Sequence, residues 1–225
     1  MSTNESKVNK PRNAPLKVLL PLFPDFNTLD MNGPVEVLIG ANRQSGGTQH
    51  FKISVASATE LTTSIEGVKI ARDISLSEAT ERLKEWDILL LPGGVEKSIL
   101  GMAETWKSGE EGNAKELLDL LDRFMEDLEK LTLTVCTASL FLGALGRLSG
   151  RRATSHWRSL STLKELLKSD GKYSAPIDLL SVLKATVNSE TEIVRARWVD
   201  SKGSSESGQP RLSTYMDTCS PLTNW

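Results

Sequence analysis

Cysteine and histidine are scarce in this chain of 225 residues, with two of each: Cys136 and Cys219, His50 and His156. Two cysteines in unlike surroundings exclude a disulfide scaffold and a thiol-rich metal cage, and two histidines argue against a histidine-based zinc site. Excess charge of one sign is also missing. The 27 basic residues against 29 acidic ones leave a formal net charge of −2. Nucleic acid and anionic membrane both select for concentrated basic surface, so neither is expected as the main partner. No apolar run approaches the roughly 20 residues that span a bilayer. Residues 1–15 are polar, with Lys7, Lys10 and Arg12 and no apolar segment before Leu16, so they read as a disordered lead-in rather than a secretory signal or transit peptide. What is present is ordinary for a globular protein: 39% hydrophobic and 25% charged residues in a length that suits one core. The composition points to a cytoplasmic, metal-free, single-domain protein.

Short apolar runs alternate with longer periodic ones. Residues 16–23, 87–91 and 131–136 are too brief and too apolar for helices and read as buried parallel strands, while residues 51–56 alternate as a further strand. Residues 27–42 carry Leu29, Val35, Leu38 and Ile39 on one helical face, with Asn27 or Thr28 as cap and Pro34 expected to kink or separate the first turn. Residues 62–71 suggest a hairpin flap turning at Glu66-Gly67, and residues 75–85 a short helix. Residues 107–112 read as a polar loop, after which Asn113 would cap a helix bearing Leu117, Leu121, Phe124 and Leu128. Residues 152–155 suggest a short strand, 157–168 a helix and 192–199 one more strand. From Ser201 onward more than half the residues are Ser, Thr, Gly or Pro without periodicity, and that tail is expected to be disordered. Strands alternating with helices imply an α/β fold with a helix-flanked, mainly parallel sheet.

In such sheets the reactive groups gather at the carboxyl ends of the strands. Cys136 closes one strand and opens a helix with no intervening loop, the geometry of a nucleophile elbow, and a helix start favours the thiolate. It could equally be a small buried hydrophobe. Gly93-Gly94 closes a neighbouring strand after Pro92; its backbone N–H groups suit an oxyanion or small-anion hole, or form a plain turn. No Gly-Lys-Ser/Thr follows, so it is not a phosphate loop. Asp30 is either a partly buried acid or a helix-capping residue. His156, twenty residues after Cys136, can pair with the thiol or serve structure alone.

The order of these signals resembles the ThiJ/PfpI family of the class I glutamine-amidotransferase-like fold, a flavodoxin-like three-layer sandwich, and within it the isonitrile hydratase-like branch. Three stretches carry the resemblance: Phe23-Pro24-x3-Thr28-Leu29-Asp30-x2-Gly33-Pro34-x-Glu36-Val37; Asp87 through Pro92-Gly93-Gly94; and Val135-Cys136-Thr137-Ala138-x7-Gly146-x-Leu148-x-Gly150-Arg151-Arg152-Ala153-Thr154-Ser155-His156-Trp157. It spans roughly residues 16–168, extending to a strand at 195–200, so that residues 16–200 would form the domain. The resemblance implies Cys136 as nucleophile and Asp30 as acid/base. It further implies Thr137 as donor of a hydroxyl and an N–H, Gly93 and Gly94 as the turn with Gly94 giving an N–H, and His156 beside the thiol. The implied reaction hydrates a small-molecule isonitrile to an N-substituted formamide without metal or organic cofactor, in a homodimer. A glyoxalase- or deglycase-like activity is the second enzymatic reading.

The sequence departs from the family pattern at three places. Ala138 replaces a usual glycine and would narrow the substrate pocket by one methyl group. Glu96 stands where the family often has glycine and would put a charge at the site mouth. After Asp200 the family's final apolar helix is not evident; residues 201–225 are atypical, as if from an altered splice or reading-frame junction near Lys202. A truncated, inactive member with an interaction role is therefore a third reading.

Overall fold

The computed structural model describes residues 14–149, 151–168, 192–193, 198–201 and 211–215. The chain opens with β1 (Leu16–Pro21) and α1 (Thr28–Gln44), then β2 (Phe51–Ser57), a hairpin of β3 (Leu61–Thr63) and β4 (Lys69–Ala71), β5 (Ile74–Ser75) and α2 (Leu76–Glu81). There follow β6 (Ile88–Leu91), α3 (Glu96–Ser108), α4 (Asn113–Phe124), β7 (Leu131–Val135), α5 (Ser139–Ala144), β8 (Arg152–Ala153) and α6 (Leu160–Lys168). The last elements are β9 (Glu192–Ile193), β10 (Trp198–Ser201) and β11 (Arg211–Tyr215).

Seven strands form the main sheet in the order β10-β11-β7-β6-β1-β2-β5, parallel except for β10, which runs antiparallel to β11. β1 lies inside it, with Val18 paired to Ile53 on one side and Ile88 on the other. Helices cover the sheet, so strands near its centre must be apolar on both faces, which is why β6 is buried at every residue. The chain moves outward from β1 through β2 to β5, then crosses back to place β6 on the other flank of β1. That reversal creates a crevice beyond the carboxyl ends of β1 and β6, the place where doubly wound sheets bind ligands.

α1 runs unbroken through Pro34, so its first turn is not the separate piece that the sequence allowed. An interior proline removes one helical hydrogen bond, but both ends of this helix are tied down. Asn27 Oδ1 accepts from Leu29 N and Asp30 N at 2.9 and 3.1 Å, and Asn42 clasps β2 through bonds to Phe51 O, Phe51 N and His50 N. Within α1, Gly40 has no atom within 4 Å of the position a β-carbon would take. Gly40→Ala is therefore expected to raise stability by about 0.5–1 kcal/mol, read from the denaturant midpoint, because alanine costs less backbone entropy in a helix.

Three further expectations are corrected. α4 is capped by Gly112, at φ 138°, and Asn113 is its first residue. The expected polar loop begins later, because α3 extends to Ser108. The tail is not wholly without regular structure: Arg211–Tyr215 inserts into the main sheet as β11, parallel to β7 and between it and β10. A strand can join a sheet through backbone hydrogen bonds alone, which needs no apolar run. The expectation about the family's final helix bears on residues outside the described ones, as do residues 169–191 and, apart from β11, residues 202–225.

Candidate active site

β7 ends at Val135, and Cys136 turns the chain at φ 57° into a short 3-10 segment (Cys136–Ala138) that continues as α5. A left-handed conformation costs an L-residue about 1–2 kcal/mol, so something must hold it. The Cys136 carbonyl accepts two hydrogen bonds, from His156 N and from the buried Ser155 Oγ, each at 3.2 Å. The elbow is thus pinned from the far side by the segment after β8. Cys136 is 8% exposed, as a group reached only through a crevice would be.

Asp30 lies in the first turn of α1 and is 2% exposed. It is not the helix cap, since Asn27 fills that role. A β-carbon placed on Gly93 would lie 2.6 Å from Asp30 Oδ2, 2.7 Å from Cys136 Cβ and 2.9 Å from Thr137 N. An acid from the β1–α1 connection and the elbow cysteine after β7 therefore converge on the one space left open by a glycine after β6. A side chain there would fill the site.

The other expected residues are placed differently from one another. Thr137 Oγ1 accepts from Gly94 N at 2.9 Å and donates to Gly94 O at 2.8 Å. The hydroxyl and the Gly94 amide, both expected to face a substrate, are bound to each other and brace the elbow against the glycine turn. The turn is stitched in place by Asn27 N to Gly93 O at 2.8 Å and Val95 N to Asp25 O at 3.1 Å. Gly94 also packs directly on that loop: a β-carbon would come within 2.5 Å of Asp25 O. Ala138 is wholly buried and belongs to the hydrophobic core, so its methyl group packs inward. His156 reaches Cys136 through its backbone N–H, while its imidazole Nδ1 accepts from Arg158 N at 3.4 Å and caps the following 3-10 turn (Trp157–Ser159).

Glu96, expected to be a charge at the site mouth, is turned to the neighbouring helix. Its two carboxylate oxygens accept hydrogen bonds from Ser159 Oγ and Thr162 Oγ1. Sequence reasoning missed this pair of contacts and also missed α3, on which Glu96 sits.

The β3–β4 hairpin folds over the start of α1. Ile65 N donates to Phe26 O, and the Glu66 carboxylate accepts from Thr28 N. Burial pushes the Glu66 carboxyl up, but hydrogen bonds from the Ser64 side chain, its own backbone and Thr28 outweigh it and hold it below 4.5. A lowered folded pKa stabilises above the ordinary value and loses that effect as pH falls through the folded one. The protection of the Thr28 amide, its exchange taken against the intrinsic rate at each pH, is accordingly expected to fall as pH drops through the lowered folded value, and to be low at all pH in Glu66→Ala.

Among the described residues no group of three or more His, Cys, Asp or Glu side chains is arranged to hold a metal ion, and no helix is long and apolar enough to cross a membrane.

A helix-flanked, mainly parallel sheet with a cysteine on a sharp strand-to-helix turn one strand from the switch point defines a doubly wound α/β protein. The DJ-1/PfpI family model matches residues 16–198, and the chain belongs to that family. It is 32% identical over 155 residues to an uncharacterised protein from the cpoL 5′ region of Streptomyces lividans, covering 66% of this chain and 93% of the relative. It is 29% identical over 137 residues to an isonitrile hydratase of Pseudomonas putida, covering 60% of this chain and half of that protein. Among solved structures, a ThiJ/PfpI family protein from Pseudomonas syringae superposes with a TM-score of 0.62 at 20% identity over 96% of this chain and 69% of the other. Drosophila melanogaster DJ-1beta does so with a TM-score of 0.60 at 20% identity, over 91% and 83% of the two chains. These structural likenesses concern the fold.

Proposed function

We propose that the protein is a cysteine-dependent hydratase that converts a small isonitrile, R–N≡C, and water into the N-substituted formamide R–NH–CHO. The observation that carries this reading is the convergence of Asp30 and Cys136 on the space above Gly93. The distant likeness to an isonitrile hydratase supports it.

The reaction needs a nucleophile that can leave again and one acid/base that works in both directions. The Cys136 thiol gives its proton to Asp30 and its sulfur attacks the terminal carbon. A C–S bond forms, and Asp30 returns the proton to that same carbon, giving a thioformimidate, R–N=CH–S–Cys136. Asp30, again a carboxylate, takes a proton from water as the water oxygen adds to the carbon. That proton passes to nitrogen; the new hydroxyl then gives up its own proton, through Asp30, to the sulfur as the C–S bond breaks, leaving the formamide carbonyl and the restored thiol. Thr137 and Gly94 act in this scheme as braces for the elbow, consistent with their mutual hydrogen bonds. No cofactor takes part. The assembly we expect is a cytoplasmic homodimer.

The test is incubation of the purified protein with cyclohexyl isocyanide, with the formyl proton of the product followed by NMR. Enzyme-dependent formamide, and a transient adduct of isonitrile mass on the peptide containing Cys136, are the expected results. No formamide and no adduct would remove the reading.

A further inference from the structure

The hydrogen bonds around Cys136 close into a ring. The Cys136 carbonyl is held by Ser155 and His156. His156 O accepts from Ser159 N at 2.8 Å. Ser159 and the next-turn residue Thr162 donate to the two oxygens of Glu96. Glu96 opens α3 two residues after Gly94, and Gly94 holds Thr137, the neighbour of Cys136, through both its N–H and its C=O. Every other link is backbone or a neutral hydroxyl. Glu96 is the charged link, and it joins the turn on one side of the elbow to the turn on the other. Hydroxyls donating to a carboxylate are among the stronger hydrogen bonds, and two of them fix the carboxylate plane.

We infer that Glu96 is a positioning residue for the nucleophile. It fastens the 155–159 turn to the Gly93-Gly94 turn and so keeps Cys136 in its left-handed conformation, facing Asp30. The inference rests on the reading of Cys136 as nucleophile but not on the isonitrile as substrate. A Cys136 released from this clamp can relax towards negative φ and swing the thiol out of the site.

The sign of the effect distinguishes positioning from charge. Removing a nearby negative charge by itself eases ionisation of a thiol and lowers its pKa. A thiol moved off the start of the 3-10 turn and α5 loses the favour that a helix start gives the thiolate, and its midpoint moves up. The experiment is the pH profile of iodoacetamide alkylation of Cys136 in the full chain, in a Cys219→Ser background so that one thiol reports. In Glu96→Ala the midpoint should rise by about half a pH unit, which lowers the rate well below the midpoint about three-fold. In Glu96→Gln, which keeps one acceptor and can donate to the second hydroxyl, the midpoint should not rise. Ser159→Ala combined with Thr162→Val removes the donors with the charge retained and should reproduce the rise, and this variant decides the matter if Glu96→Ala does not fold. An unchanged or lowered midpoint in Glu96→Ala overturns the inference, as does an equal rise in Glu96→Gln. Since no isonitrile is used, failure of the hydratase reading leaves this result interpretable.

Discussion

Cys136→Ala is expected to lower formamide production by about 10³-fold or more, because the proposed covalent route has no second nucleophile at the crevice. The same position gives a sharper test through stability. Alanine keeps the β-carbon that makes φ 57° costly, whereas glycine adopts that conformation without penalty. Cys136→Gly should therefore be inactive yet about 1 kcal/mol more stable than Cys136→Ala in urea denaturation. That order is the reverse of the usual one beside a helix, where glycine is the weaker residue. It would show that strain is held at the nucleophile for function and supported from elsewhere, here by Ser155 and His156. Retained hydratase activity in Cys136→Ala would assign the chemistry to another group.

The parallel sheet is legible in the sequence because strands buried on both faces must be nearly continuous apolar runs, and β6 is one and β1 nearly so, while β7 alternates leucine with buried threonine. Asn27 is legible as a cap because its side chain type and its place before an apolar-periodic stretch go together. The hairpin at Glu66-Gly67 is legible because Gly67 takes φ 82°, which the turn requires. α3 is not, since only Ile99 and Ala103 are fully buried along it and the periodic signal is correspondingly thin. β11 is not, since Arg211-Leu212-Ser213-Thr214-Tyr215 shows no apolar run and joins the sheet through its backbone.

The site divides in the same way. Cys136 is readable as an elbow from a strand meeting a helix without a loop. Its approach to Asp30 is made by connections that leave β7 and β1, strands separated by β6, and only the family resemblance anticipates it. The engagement of Gly94 with Thr137 is likewise invisible, because the sequence shows which groups can donate but not which acceptors face them. Glu96 reads as a stray charge until Ser159 and Thr162, more than sixty residues later, are brought against it.

Gly93→Ala is expected to be the most damaging conservative change in the molecule outside the cysteine itself. The added methyl would meet Asp30 Oδ2 at 2.6 Å, Cys136 Cβ at 2.7 Å and Thr137 N at 2.9 Å, all well inside contact distance. Two of those atoms belong to the pinned elbow, one of them backbone, and cannot swing aside. The carboxylate can move, but only away from the thiol it is proposed to serve. Either response separates the proposed acid/base, Asp30, from the proposed nucleophile, Cys136, by a fraction of an ångström to an ångström, and displacements of that order cost about 10²-fold in rate. Overpacking should also lower stability by about 1–3 kcal/mol. Gly33→Ala, where nothing lies within 4 Å, is the matching control and should keep activity and, like Gly40→Ala, gain about 0.5–1 kcal/mol of stability. The measurement is kcat/KM for formamide formation beside the urea midpoint of each variant. Full activity in Gly93→Ala would mean that Asp30 and Cys136 do not work across that space, and the acid/base assignment to Asp30 would fall with it.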